Sequence, residues 1–156
     1  MDTINRIVEN GVETEPAYPK KPGIVVMRRV ENLLFVSGHG PEDQITGKPI
    51  YQGRVGSDLT PEEGYRAAGE CAVILLGALR DNLGDLNRVE RIVKAFALVN
   101  CAEGFSDVDK VMDGFSDTVA DVLEERGVHA RTVVGTHNMP NGNIPVEIEL
   151  IVAVRP

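Results

Sequence analysis

The chain has 156 residues and a formal net charge of −8. Its length gives a single domain large enough for a real core, and its acidity argues against a nucleic-acid scaffold, which needs clustered Lys and Arg. The longest apolar run, residues 71–76, is far too short to span a bilayer, and the first residues hold no signal-peptide core. Neither nucleic acid nor a membrane is expected as a partner, and a cytoplasmic location is expected. Cys71 and Cys101 lie far apart inside apolar segments and read as buried, reduced thiols.

Residues 1–23 contain Pro16, Pro19 and Pro22 and read as an irregular arm; residues 24–156 form the domain. Residues 24–27 are β-branched and apolar and predict a first strand, residues 28–32 a turn, and residues 33–37 a second strand, stopped by Gly38-His39-Gly40-Pro41. Residues 42–58 are polar and glycine-dotted, a long surface loop with room for a short strand at 53–55. Thr60-Pro61-Glu62-Glu63 is a helix start: a capping hydroxyl, proline at the first helical position and acids in the first turn. Tyr65, Ala68, Ala72, Leu75, Leu76, Leu79 and Leu83 follow at helical spacing, and Gly84 ends the run.

Residues 89–99 are β-branched and aromatic, a central strand. Ser106 with Asp109 resembles a capping box ahead of a second amphipathic helix marked by Val108, Val111, Met112, Phe115, Val119, Val122 and Leu123. Two strand-like runs close the chain, 131–134 and 146–154, separated by Pro140, Asn141-Gly142 and Pro145, and they read as an antiparallel hairpin. The order β-β-α-β-α-β-β gives an α+β fold: a mixed sheet covered on one face by two helices. A sheet face that no helix covers implies an oligomer, with the cleft at the subunit junction.

Several motifs fail. Gly38-His39-Gly40 begins like a dinucleotide fingerprint, but Asp43 stands at the third glycine and no helix follows. Asp107, Asp109 and Asp113 resemble a calcium loop only faintly, with Val111 at a ligand position. His39, His129 and His137 have no partner at metal-ligand spacing, so no metal is expected; an already reactive imine would require no cofactor.

In the last strand Val146, Ile148, Leu150, Val152 and Val154 share one face, and Glu147 and Glu149 the other. Carboxylates opposite an apolar face are either solvated or face a cleft, and the hairpin reading puts Arg131 on the neighbouring strand. Arg131 and Glu147 are then a candidate pair beside the simpler reading of two solvated strand charges. A guanidinium fork would bind a small carboxylate by two parallel hydrogen bonds. Glu147 would orient a water, or take its proton, near the adjoining carbon.

Ser37-Gly38 after an apolar strand, Ile92-Val93-Lys94, Phe105 before the second helix, and Arg131…Met139-Pro140…Val146-Glu147-Ile148-Glu149 together resemble the Rid family, the YjgF-type reactive intermediate deaminases once called endoribonuclease L-PSP. The likeness covers residues 24–154 and looks like a divergent subfamily. It implies a chorismate-mutase-like fold and a homotrimer with inter-subunit sites. It also implies cofactor-independent hydrolysis of small carboxylate-bearing enamines and imines to 2-oxo acids and ammonia. By motif, Arg131 matches the arginine that holds the substrate carboxylate and Glu147 the glutamate that positions water. Ser37 and Gly38 match the pocket-lining pair, with Arg131 and Glu147 one residue further apart than the pattern. Ile24 stands where a tyrosine is expected, Asp109 where an asparagine often sits, and Val133 where cysteine is common; all three are candidate pocket residues. A non-catalytic trimeric binder of small carboxylates is the second reading, and RNA cleavage a distant third.

Overall fold

The computed structural model describes residues 23–156; nearly all of the arm expected at 1–23 lies outside them. Five strands and two long helices alternate along the chain. They are β1 (Met27–Val30), β2 (Leu33–His39), α1 (Pro61–Leu83), β3 (Val89–Asn100), α2 (Val108–Leu123), β4 (Ala130–Thr136) and β5 (Val146–Val154). Short 3-10 turns lie at Leu86–Arg88 and Glu124–Gly127, and a single helical turn at Pro140–Asn143. The order β-β-α-β-α-β-β read from the sequence therefore stands.

The sheet runs β1-β2-β5-β3-β4. All neighbours are antiparallel except β3 and β4, which are parallel. This corrects the hairpin expected at the C-terminus: β4 does not pair with β5, because β3 lies between them. The chain leaves β3 through α2, and such a crossover returns it parallel to the strand it left. The Pro-Asn-Gly turn then carries it past β3 instead of folding it back.

α1 begins as its sequence predicts. Thr60 Oγ1 accepts from the Glu63 amide and the Glu63 carboxylate accepts from the Thr60 amide, which closes a capping box. The box expected for α2 does not form: Asp107 is the N-cap, without a side-chain cap bond. β1 starts at Met27, later than expected, and its turn is only Glu31-Asn32. β2 runs through Gly38 and His39, with a bulge between Val36 and His39 where it pairs with β5. Within residues 42–58 the chain makes only isolated bridges, among them Val55 to Cys101.

Both helices cover one face of the sheet. Ala95, Ala97 and Val99 of β3 and Val146, Ile148, Leu150, Val152 and Val154 of β5 are buried against them with Leu75, Leu79, Met112 and Phe115. At Gly114 the helices meet backbone to backbone, since a Cβ there would collide with the Tyr65 carbonyl. The Tyr65 hydroxyl donates to Asp117 Oδ2 at 2.8 Å beside this crossing. Asn100, the one buried polar residue among those described, ties the end of β3 to the β4–β5 connection. Its amide donates to Asn143 Oδ1 at 2.8 Å and to the Ile144 carbonyl at 3.2 Å. Among the described residues no helix covers the other face, on which Phe35 and Val134 are 45% and 43% exposed. Lys94 Nζ donates to Thr132 Oγ1 on that face.

Candidate functional site

Glu147 belongs to the open face. It registers against Leu98, between the core residues Val146 and Ile148. Its carboxylate rests over the bulge of β2, where a Cβ on Gly38 would stand 2.5 Å from Oε1. Burial raises the pKa of Glu147 above the ordinary glutamate range, and the nearby charges of Glu42 and Glu149 raise it further. Ser37, one residue before Gly38, donates its hydroxyl to the Val25 carbonyl at 2.8 Å. Its amide donates to the Val26 carbonyl at 2.9 Å, so the segment before β1 lies along the bulge. Ile24 heads that segment and is 66% exposed. His39 Nδ1 lies 2.7 Å from the Ser37 carbonyl across the bulge, and burial lowers the His39 pKa.

Arg131 lies elsewhere. It registers against the core residue Ala95 and faces the helices, so it is on the opposite side of the sheet from Glu147 and two strands away. The sequence reading that paired the two on adjacent strands is overturned within one protomer. Arg131 is not a lone cation either. Its Nη1 donates to Asp113 Oδ1 at 2.8 Å and to Ser116 Oγ at 3.1 Å, both on α2. Both bonds use Nη1, so among the described residues Nε and Nη2 remain for a ligand.

Ser116 Oγ is 3.2 Å from His129 Nε2. His129 Nδ1 is 2.6 Å from the Gly127 carbonyl, which can only accept. Nδ1 therefore carries the proton in neutral His129, and Nε2 accepts from the Ser116 hydroxyl. Burial lowers the His129 pKa, and the Arg131 charge lowers it further against the opposing Gly127 bond. Ser116, Asp117, Ala120, Gly127, Val128, His129 and Arg131 line an open cleft of about 300 Å³.

Val133 follows Arg131 on the same side of β4 and packs partly against the core. Asp109 is exposed on the first turn of α2, one turn before Asp113. The candidate residues thus form two groups. Ile24, Ser37, Gly38 and Glu147 are at the β1–β2–β5 end, and Asp109, Arg131 and Val133 lie along α2 and β4. Among the described residues no group of three His, Cys, Asp or Glu is placed to hold a metal ion.

Sequence reasoning missed Asp113, Ser116 and His129. Their signal was present: Asp113 and Ser116 are three apart on one helix face, and His129 and Arg131 are two apart around the start of a strand. The parallel crossover brings those two patterns together.

Residues 6–151 match the family described as "YjgF/chorismate_mutase-like, putative endoribonuclease". The chain belongs to this family. Protein TCP17 of Trypanosoma cruzi is 38% identical over 120 residues, 76% of this chain and 73% of that protein. The crystal structure of Atu1372 from Agrobacterium tumefaciens, a protein of unknown function, superposes with a TM-score of 0.83 at 34% identity. It covers 98% of this chain and 94% of that one. The Rid family protein YyfA of Yersinia pestis, at 19% identity, shares the fold with a TM-score of 0.59 over 92% of this chain and 97% of that one. Membership in the YjgF/Rid family and the chorismate-mutase-like α+β fold are thereby established. The family points to small-molecule chemistry. No helix among the described residues is long and apolar enough to cross a membrane.

Proposed function

We propose that this YjgF/Rid chain hydrolyses small carboxylate-bearing imines or enamines at sites shared between protomers. The observation that carries this reading is Glu147: a half-buried carboxylate, seated in the notch left by Gly38, whose proton affinity is raised. A carboxylate tuned upward in this way serves as a base toward a bound water. Arg131 offers Nε and Nη2 as a fork for the ligand carboxylate.

The two groups cannot act together in one chain, because the sheet separates them. Head-to-tail association, in which the Arg131 end of one protomer meets the Glu147 end of the next, would complete the site. Repeated around an axis, such a contact closes into a ring, and the family resemblance implies three members. In the reaction a water attacks the imine carbon as Glu147 takes one of its protons, and the C=N π pair moves to nitrogen. Glu147 then returns that proton to nitrogen and carries the hydroxyl proton to the same nitrogen, the C–N bond breaks with its pair going to nitrogen, and ammonia leaves as the 2-oxo acid forms.

A non-catalytic binder is the alternative. It is favoured by Asp113, which occupies Arg131, and by Ile24, where the resemblance implies an aromatic wall. RNA cleavage fits poorly with a net charge of −8.

Complementation tests the shared site. Arg131→Ala and Glu147→Gln chains should each fail to accelerate ammonia release from imines generated by an amino-acid oxidase. Co-expressed in equal amounts they should regain roughly a quarter of wild-type activity, since each mixed three-membered ring holds one interface of two intact halves. Two inactive parents that stay inactive when mixed would sink the shared-site reading.

A further inference from the structure

Arg131 has a charge problem that its position in a carboxylate anchor does not solve. Asp113 bonds it at 2.8 Å and cancels its charge. Asp117 lines the same cleft and adds a negative group, held to the Tyr65 hydroxyl. A ligand carboxylate approaching the free Nε and Nη2 meets two good donors but no net positive charge. Lys94 cannot help, because it lies on the other face with Thr132. Arg126, in the turn before His129, is committed to the Leu86 and Val89 carbonyls at 3.3 and 3.1 Å. Of the residues lining the cleft, His129 is the one that can gain a positive charge.

The hydrogen-bond directions couple that charge to the anchor. With His129 neutral, the Ser116 hydroxyl spends its proton on Nε2, and its oxygen accepts from Arg131 Nη1. When Nε2 gains a proton it becomes a donor, and Ser116 Oγ accepts from it. The hydroxyl proton is then released to turn toward an incoming carboxylate.

Resting on the reading of Arg131 as carboxylate anchor, we propose that Ser116 is a second donor to the ligand carboxylate and that His129 is its positioning residue, taking up a proton as the ligand binds. Nothing covalent is formed: one proton moves from solvent to Nε2, and the Ser116 hydroxyl reorients. The groups that face His129 agree with this sense. Burial and Arg131 on β4 oppose protonation of the imidazole, the Gly127 carbonyl favours it, Asp117 on α2 lines the same cleft, and a bound carboxylate tips the balance. The ligand class is a small 2-oxo or 2-imino carboxylate, held by Arg131 and Ser116, with the rest of the molecule lying along Ala120, Gly127 and Val128.

Pyruvate, the simplest member of the product class, is the probe. Calorimetric titration of the full chain with pyruvate, in buffers of different ionisation enthalpy, reads proton uptake directly. Wild type should take up protons on binding near neutral pH. Its affinity should fall by up to about tenfold per pH unit above the His129 midpoint. In the NMR spectrum the His129 ring proton should titrate at higher pH with pyruvate than without, a readout that needs no variant. His129→Gln should bind with the weak affinity wild type shows at high pH, at every pH and without proton uptake. Ser116→Ala should bind more weakly than wild type and likewise lose the uptake. If His129→Gln keeps the wild-type pH profile, or the ring proton is unmoved by bound pyruvate, the coupling is wrong while Arg131 remains the anchor. If Arg131→Ala binds pyruvate as well as wild type, the anchor itself is misassigned.

Discussion

Gly38 and Glu147 share one volume: the carboxylate of Glu147 fills the space where a side chain at Gly38 would begin, 2.5 Å from the nearest oxygen. Gly38 does not occupy the left-handed region, so its lack of a side chain serves Glu147 and not the backbone. Gly38→Ala should therefore keep its fold and displace the carboxylate. The expected result is a loss of about ten- to a hundredfold in imine hydrolysis, with a thermal midpoint close to wild type. Assay and melting curve on the same preparation would check both.

Arg131→Lys retains the charge and removes the planar fork. KM for a carboxylate-bearing imine should rise about tenfold or more, with a smaller effect on kcat. Stability should change by less than about 1 kcal/mol, since the Asp113 partner is 47% exposed and surface ion pairs contribute little. Steady-state kinetics beside urea unfolding would separate the two effects.

The raised pKa of Glu147 has a thermodynamic signature. Burial, Glu42 and Glu149 hold it above its unfolded value. Its contribution to stability is thus full at low pH and is lost as the pH rises through the folded midpoint. Glu147→Gln should melt at the wild-type temperature near pH 4 and above it near pH 8. The gain should be only about 1–3 °C, because the group is half exposed and partly screened. A melting series across pH tests the crossing.

The same tuning should appear in the rate. Activity should rise with pH through an acid limb whose midpoint lies above that of an ordinary glutamate. Removing a neighbouring negative charge by Glu42→Gln should move that limb to lower pH, with the plateau little changed. A pH–rate profile of the two proteins would show the displacement.

Asn100 carries no chemistry but fixes the connection into β5. Asn100→Ala would leave the buried Ile144 carbonyl without its side-chain donor and the Asn143 side chain with only the Met139 amide. It should destabilise the chain by about 1–3 kcal/mol, measurable by urea unfolding.

The sequence made the elements legible where local chemistry decides them. Thr60-Pro61-Glu62-Glu63 wrote its own helix start, and the alternation of Val146 to Val154 set which residues of β5 face the core. It was misleading where tertiary pairing decides. Asn141-Gly142 and Pro145 carry the composition of a hairpin turn, yet β4 is already committed to β3 by the α2 crossover, a long-range fact that no local pattern records. The same omission hid the candidate site. Arg131 and Glu147 were each identifiable, but which face of the sheet each occupies depends on strand order. The partners Asp113, Ser116 and His129 become neighbours of Arg131 only once α2 lies over β4.

The contact at Gly114 has a bearing on how such a site could diversify. A backbone resting on a backbone has no rotamers, so the spacing of α2 from α1 is fixed without reference to any side chain in the cleft. Ala120 and Val128 can therefore be exchanged for larger or more polar residues while Asp113 and Ser116 keep their reach to Arg131. The scaffold separates what grips the ligand from what surrounds it. Drift in the surrounding residues could change which molecules enter without rebuilding the grip, a division that suits a family whose members share a fold at 19% identity.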